Sequence, residues 1–284
     1  MLRDAFALHR NSPFSSAGPR VIRQAVLFLA ILLMLQISAC KSGSSGQALV
    51  ANVSGYSALL KSTSPGGYWT CGDASGDLTD SSGNGNTATK DGAITYGVAG
   101  PIPDDATTAI SIEGGNENYF AVPSSASLPS GDTLSFVAWI KCGTLSSSSS
   151  YGLFYQTGSG SGHPGASVRL VAPGTNVIQF WASDGTTHTL LAQGSTPISD
   201  TTTWHLIVAT KSGATSKIYL DGVDITSAGS DVTLAPSTAA LLIGQSLDGH
   251  DFNGSLGQIA IYTSALTPSQ VLDLYNHVQR RASR

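Results

Sequence analysis

From Gly67 onwards the chain is a succession of short β-rich runs split by turn residues, and this alternation limits what it can fold into. Twelve runs stand out: "GYWTC" (67–71), "TAISI" (108–112), "NYFAV" (118–122), "DTLSFVAWIK" (132–141), "YGLFYQ" (151–156), "ASVRLVA" (166–172), "NVIQFWA" (176–182), "HTLLAQ" (188–193), "TWHLIVATK" (203–211), "SKIYLDG" (216–222), "ALLIG" (240–244) and "SLGQIAIY" (255–262). Some alternate with period two. Leu134, Phe136, Ala138 and Ile140 fall on one face of their run; Ser135, Val137, Trp139 and Lys141 fall on the other. "HLIVAT" is apolar on both faces, which marks a strand inside a packed sheet. A dozen strands with no helical pattern between them favour an all-β fold of antiparallel sheets, a sandwich or a jelly roll. One short helix is predicted at the C-terminus. Thr267 caps it, Pro268 takes the first position and Gln270 completes a capping box, before a stripe of Val271, Leu274, Tyr275 and Val278.

The N-terminus has a different character. Arg3, Arg10, Arg20 and Arg23 precede an apolar run from Ala25 to Ala39, weakened at its end by Gln36 and shorter than the roughly 20 residues of a membrane-spanning helix. A basic head, a short apolar centre and small residues at the exit describe an export signal. Leu35 to Cys40, ending Ile37-Ser38-Ala39-Cys40, resembles the lipobox of bacterial lipoproteins. That resemblance implies diacylglycerol on the Cys40 thiol, cleavage before it and acylation of the new amine, leaving the protein lipid-anchored at the envelope. An ordinary cleaved signal and a retained anchor helix are the alternatives. Lys41 stands where an Asp would favour inner-membrane retention, so the outer membrane is the expected location. The predicted divisions are a signal peptide (1–39), a lipidated N-terminus and flexible Ser/Gly linker (40–53), a β-domain (54–278) and a basic tail (279–284).

Charge excludes one class of partner. Of 14 basic and 18 acidic residues the leader takes four and one, so the remainder carries 10 against 17, a net charge of −7. An acidic body does not bind a phosphate backbone, so no nucleic-acid partner is expected. Export places Cys71 and Cys142 in an oxidising compartment. A bridge between them would close a loop of about 70 residues and stabilise by roughly 4 kcal/mol; two buried thiols are the alternative.

The stretch "GYWTCGDASGDLTDSSGNGNTAT", with "AISIEGGNENYFAVPSSASL", "DTLSFVAWIK", "TWHLIVATKSGATSKIYLDG" and "FNGSLGQIAIYTSALTPSQV" in the same order, resembles bacterial LamG-like, concanavalin A-like lectin/glucanase domains. The similarity runs from Tyr56 to His277. It implies the fold, and for function it implies recognition of a glycan or surface protein, the latter through a structural or adhesion module.

Catalysis is not expected. Glycoside hydrolysis needs two carboxylates set across the scissile bond, and this body has two glutamates, Glu113 and Glu117, in "IEGGNEN". That stretch is expected to be a solvated hairpin tip between "TAISI" and "NYFAV". No nucleophile elbow, zinc-protease motif or Cys-x-x-Cys occurs. Calcium is the one cofactor to weigh. Asp80, Ser82, Asn84 and Asn86 alternate through a Gly-bent loop with Asp77 and Asp91 nearby, which either offers oxygens to a hard cation or is a polar turn bonding its own backbone. The family's acidic pair after the late glycine is missing, since Gly254-Ser255-Leu256 leads into Gly257-Gln258. For a sugar site two regions carry aromatic and polar groups. One gathers Asp248, His250, Asp251, Phe252 and Asn253; the other offers Trp181, Asp184 and His188.

Overall fold

The computed structural model describes residues 55–283 apart from 104, 116, 146–149, 158–164, 172–174 and 246–250. The expected signal segment, Cys40 and the expected linker therefore lie outside the described residues, as do Asp248 and His250. All twelve expected runs form strands, and the alternation in "DTLSFVAWIK" explains how they stack. This run is β6 (Thr133–Cys142), the middle of a sheet built with β11 (His205–Ser212), β12 (Thr215–Leu220), β13 (Val223–Asp224), β16 (Gly254–Tyr262), β4 (Ala109–Ile112) and β3 (Ile94–Val98). The order is β13-β12-β11-β6-β16-β4-β3, and β1 (Gly67–Trp69) pairs with the far end of β16. The second sheet runs β14-β10-β9-β8-β7-β15-β5-β2. Its strands are β14 (Thr226–Ala228), β10 (His188–Gly194), β9 (Val177–Ser183), β8 (Gly165–Val171), β7 (Ser150–Thr157), β15 (Leu241–Ile243), β5 (Tyr119–Val122) and β2 (Thr89–Asp91). Each sheet has eight strands among the described residues, and all the pairings are antiparallel.

Leu134, Phe136, Ala138 and Ile140 face the other sheet and belong to the apolar core. The two sheets interlock there. The Phe136 ring stacks on Phe154 with centroids 4.9 Å apart, and meets Phe180 edge-on at 6.2 Å. Such offset and edge-to-face pairs add about 0.5–1.5 kcal/mol each to the burial of the rings.

The opposite face of β6 is also buried, which alternation alone does not foretell. Two helices cover it: the short α1 (Tyr56–Ser62), for which the sequence carries no signal, and α2 (Pro268–Ala282), the expected one. The α2 capping box forms as predicted, with Thr267 Oγ1 accepting from the Gln270 amide and the Gln270 side chain accepting from the Thr267 amide. Val271, Leu274 and Val278 are buried beneath α2, and Tyr275 stacks against Trp139 at 6.2 Å. From α1, Tyr56 is fully buried, its hydroxyl accepts from Trp139 Nε1 at 2.8 Å, and Thr63, just beyond the helix, donates to the Tyr262 hydroxyl.

One local expectation is corrected. "IEGGNEN" is not a hairpin, because β4 and β5 lie in different sheets, so the segment carries the chain across the sandwich. Gly92 makes a similar crossing between β2 and β3 at φ +65°, where a Cβ would lie 2.0 Å from the Glu117 carbonyl. The strands β2, β3, β13 and β14 were not anticipated. They are short edge elements whose residues are at most half-buried, so no apolar run announces them.

Candidate functional site: the outer face of the second sheet

With one outer face sheathed by helices, the other broad face is the outside of the second sheet, where Arg169, Gln179 and Trp181 are partly exposed. Its centre is β8, β9 and β10. In β9, Ile178, Phe180 and Ala182 point into the core, which turns Gln179 and Trp181 outward. In β8, Val168 and Leu170 point inward and Arg169 outward. Register then sets the neighbours: Arg169 lies opposite Gln179, and Gln179 opposite Gln193 of β10. Trp181 sits between Ser167 and Leu190, with Tyr155 one strand beyond Ser167.

These side chains form one network. The Arg169 guanidinium lies over the Trp181 ring, 4.6 Å from its centroid, and the His188 ring stacks on the same indole at 5.0 Å. Arg169 comes from β8 and His188 from β10, the two strands flanking β9, so the indole is held between them. Gln179 Oε1 accepts from Trp181 Nε1 at 2.9 Å and from Arg169 Nη2 and Nε at 3.2 and 3.4 Å, and Gln179 Nε2 donates to Gln193 Oε1 at 2.8 Å. Linked bonds of this kind polarise one another and hold each side chain in place. Chemically the face is a ready-made polar row around a locked aromatic.

Trp181 and His188 thus lie together as the sequence suggested, while Asp184, Asp251 and Asn253 serve the scaffold. Asp184 caps the β9–β10 turn, accepting from Thr186 Oγ1 at 2.6 Å, Thr187 N at 2.7 Å and Thr186 N at 2.8 Å. Those bonds, led by the Thr186 hydroxyl, hold its carboxyl below the usual range. Asp251 is buried and accepts from Asn118 N at 2.7 Å and Gln245 Nε2 at 3.0 Å. Asn253 donates to the Thr144 carbonyl, and Phe252 is fully buried in the core. Arg169, Gln179 and Gln193 were missed, although large polar residues at the outward positions of three successive strands were there to be read.

The calcium candidates are likewise consumed by the fold. Asp80 accepts from Ser82 N, Ser82 Oγ and Asn86 N, each at 2.8 Å, and from Tyr68 N at 3.0 Å. Burial pushes its carboxyl up, but the Ser82, Asn86 and Tyr68 hydrogen bonds outweigh it and leave the pKa below the usual range. Asp77 accepts from Lys90 N. Asn84 and Asn86 both point N–H groups at the Gly66 carbonyl. A carboxylate ringed by N–H and O–H donors, beside amides turned donor-outward, is a staple for the chain and the reverse of a cation cage. The residues do not fit the metal.

Cys71 and Cys142 are free, buried thiols. The proposed bridge fails on distance. Cys142 pairs with Gly254 of β16, whereas β1 leads into Cys71 along the opposite edge of β16. Two strand spacings separate them by roughly 9–10 Å, beyond the roughly 7 Å Cα limit for a disulfide. Burial pushes both thiols up, Cys142 to about 12. Glu113 and Glu117 are exposed on the crossover.

An antiparallel sandwich of two eight-stranded sheets belongs to the jelly-roll class of β-proteins. The chain belongs to the concanavalin A-like lectin/glucanases superfamily, whose Laminin_G_3 model matches residues 114–272. None of the curated proteins matches it. Among solved structures it is similar to domain 4 of AbnA, an extracellular GH43 arabinanase from Geobacillus stearothermophilus in complex with arabinotriose. Identity there is 21%, the match covers 74% of this chain and 98% of that one, and the TM-score is 0.58. The binding domain of botulinum neurotoxin DC in complex with SialylT is 14% identical, with 77% and 52% covered and a TM-score of 0.58. Trypanosoma rangeli sialidase in complex with sialic acid is 12% identical, with 75% and 32% covered and a TM-score of 0.54. The chain spans about half of that toxin domain and a third of the sialidase.

Proposed function

We propose that this domain is a non-catalytic glycan-recognition module that binds through the outer face of its second sheet and is held at a bacterial envelope by lipid on Cys40. The observation that carries the reading is the locked row of Arg169, Gln179, Gln193 and His188 around Trp181. Solved structures of the same fold with arabinotriose, SialylT or sialic acid support it. A hydrolase would need a carboxylic acid with a raised pKa. The described carboxylates whose pKa is displaced all move the other way: Asp80, Asp105, Asp184, Asp200 and Asp224. An adhesion module built on a flat apolar face finds little support, since the exposed large hydrophobics among the described residues are Val223 and Leu272.

A glycan array probed with the protein, with and without chelator, tests the binding. Glycan binding that survives chelator and falls at least tenfold in Trp181→Ala is the expected result. A blank array, or full binding by Trp181→Ala, would overturn the reading. The anchor is tested separately: Cys40→Ser should leave the chain unprocessed and unlabelled by radioactive palmitate, and persistent labelling would refute it.

A further inference from the structure

An exposed tryptophan on a sheet face is the natural place for a sugar ring to stack, but the register of three strands closes both faces of Trp181. Arg169 pairs with Gln179, two residues before Trp181, and His188 pairs with Ser183, two residues after it. Since β8 and β10 flank β9 on opposite sides, Arg169 and His188 reach the indole from opposed diagonal corners. The guanidinium carbon lies 4.6 Å from the ring centroid, and the His188 ring lies 5.0 Å away, inclined by 27°. Arriving from opposed corners, each takes its own face.

Non-bonded carbon atoms meet at about 3.5–4.0 Å. A sugar's C–H face would therefore need the very layer that the guanidinium fills on one side and the imidazole on the other. The guanidinium cannot swing aside alone, because its Nε and Nη2 both donate to Gln179 Oε1. Trp181 Nε1 donates to the same oxygen at 2.9 Å. Trp181 keeps partial exposure, and with both faces and the nitrogen engaged, what it exposes is chiefly carbon edge.

Resting on the glycan reading above, we infer that Trp181 is a positioning residue and not a stacking platform, and that the sugar is held by hydrogen bonds to the polar groups beside it. The indole is a spacer clamped between β8 and β10. It sets Arg169 and His188 apart and, through Nε1, shares the Gln179 oxygen with Arg169. Arg169, Gln179 and Gln193 then stand side by side across three strands, over two strand spacings or about 10 Å. Guanidinium and amide groups suit sugar hydroxyls, which both donate and accept. The ligand class is thus a glycan that presents a hydroxyl edge, in place of a flat polysaccharide surface that needs an open aromatic plane.

Two measurements on the full-length protein in detergent micelles test this. In the free protein, NMR should find the Arg169 side-chain protons and the His188 ring protons both shifted upfield by the indole ring current, with both shifts lost in Trp181→Leu. Ordinary positions for either group in the natural protein would leave a face open and overturn the inference. Calorimetric titration with arabinotriose and sialyllactose reads the role in binding. Trp181→Ala and Gln179→Ala should each weaken the bound probe about tenfold, and the double variant no more than about threefold further, because both disturb one arrangement. A stacking platform would act independently of Gln179, and losses that multiply to about a hundredfold would overturn the inference. Should a variant fold poorly, the bound probe's own C–H resonances still decide: they should show no ring-current shift on the natural protein, and an upfield shift would reveal stacking. A blank array would remove the glycan reading instead, while the free-protein spectra would still judge the clamp.

Discussion

Nδ1 of His205 lies 2.7 Å from a carboxylate oxygen of Asp221, tying the start of β11 to the residue after β12. Nε2 of the same ring lies 2.9 Å from Asp200 on the preceding loop. The Asp221 bond, outweighing the desolvation that would lower it, and the Asp200 bond push the imidazole up to about 9. The ring is thus a cation at neutral pH, donating from both nitrogens. A folded pKa above the unfolded value of about 6.5 contributes stability that is fully present below pH 6.5 and lost as pH rises through 9. With Asp200 partly exposed, the effect should be about 1–2 kcal/mol. Urea midpoints should therefore fall between pH 6.5 and 9.5 in the natural protein, and much less in His205→Gln. Parallel profiles for the two proteins would contradict this.

Asp80 should matter to the fold through its hydrogen bonds alone. Asp80→Ala orphans the donors of Tyr68, Ser82 and Asn86. A bond to a charged acceptor is worth about 1.5–3 kcal/mol; since the bonds are not independent, a loss of about 2–4 kcal/mol in denaturant unfolding is expected. Chelator should leave the melting temperature of the natural protein unchanged. A drop on chelation, restored by calcium, would revive the cation site.

Cys71 and Cys142 should be inert. Both thiols are buried with raised pKa values, so little thiolate exists at pH 8. A chromogenic disulfide reagent should label neither in the native protein and both in denaturing urea, with peptide mapping to separate them from Cys40. Rapid native labelling, or a Cys71–Cys142 peptide after oxidation, would show the packing to be different.

Tyr56 should prove as important as any strand residue. Tyr56→Phe leaves Trp139 Nε1 without its acceptor in a buried site, at a cost of about 1–3 kcal/mol. Tyr56→Ala also opens a ring-sized cavity and should cost about 3–5 kcal/mol. Chemical denaturation of the two variants measures both. The family match begins at residue 114, yet a chain shortened to that point would lose β1 to β4 and α1, and should not fold.

The strand runs were legible because burial on one or both faces leaves a period-two or unbroken apolar mark, as in Leu134 to Ile140. The C-terminal helix was legible through Thr267, Pro268 and Gln270, whose chemistry is local. By contrast, α1 has an apolar side of only Tyr56, Leu59 and Leu60, too short to show a period. The crossing at "IEGGNEN" also eluded the pattern, since a turn between neighbouring strands and one between sheets share the same Gly and Asn composition. At the site, Trp181 was visible as an aromatic near polar residues. Its partners were hidden because the register that brings Arg169, Gln179 and Gln193 into line belongs to three strands at once. The aspartates misled for a related reason: Asp184 and Asp251 carry the residue type of a ligand contact, and only the backbone N–H groups around them reveal that they are occupied.

The pair of helices gives the molecule a back and a front. α1 is the first described element, and it lies against the outside of the first sheet, on the side opposite Trp181. The two indoles accordingly meet opposite fates: Trp139 is roofed by Tyr56 and Tyr275, and Trp181 is left partly exposed.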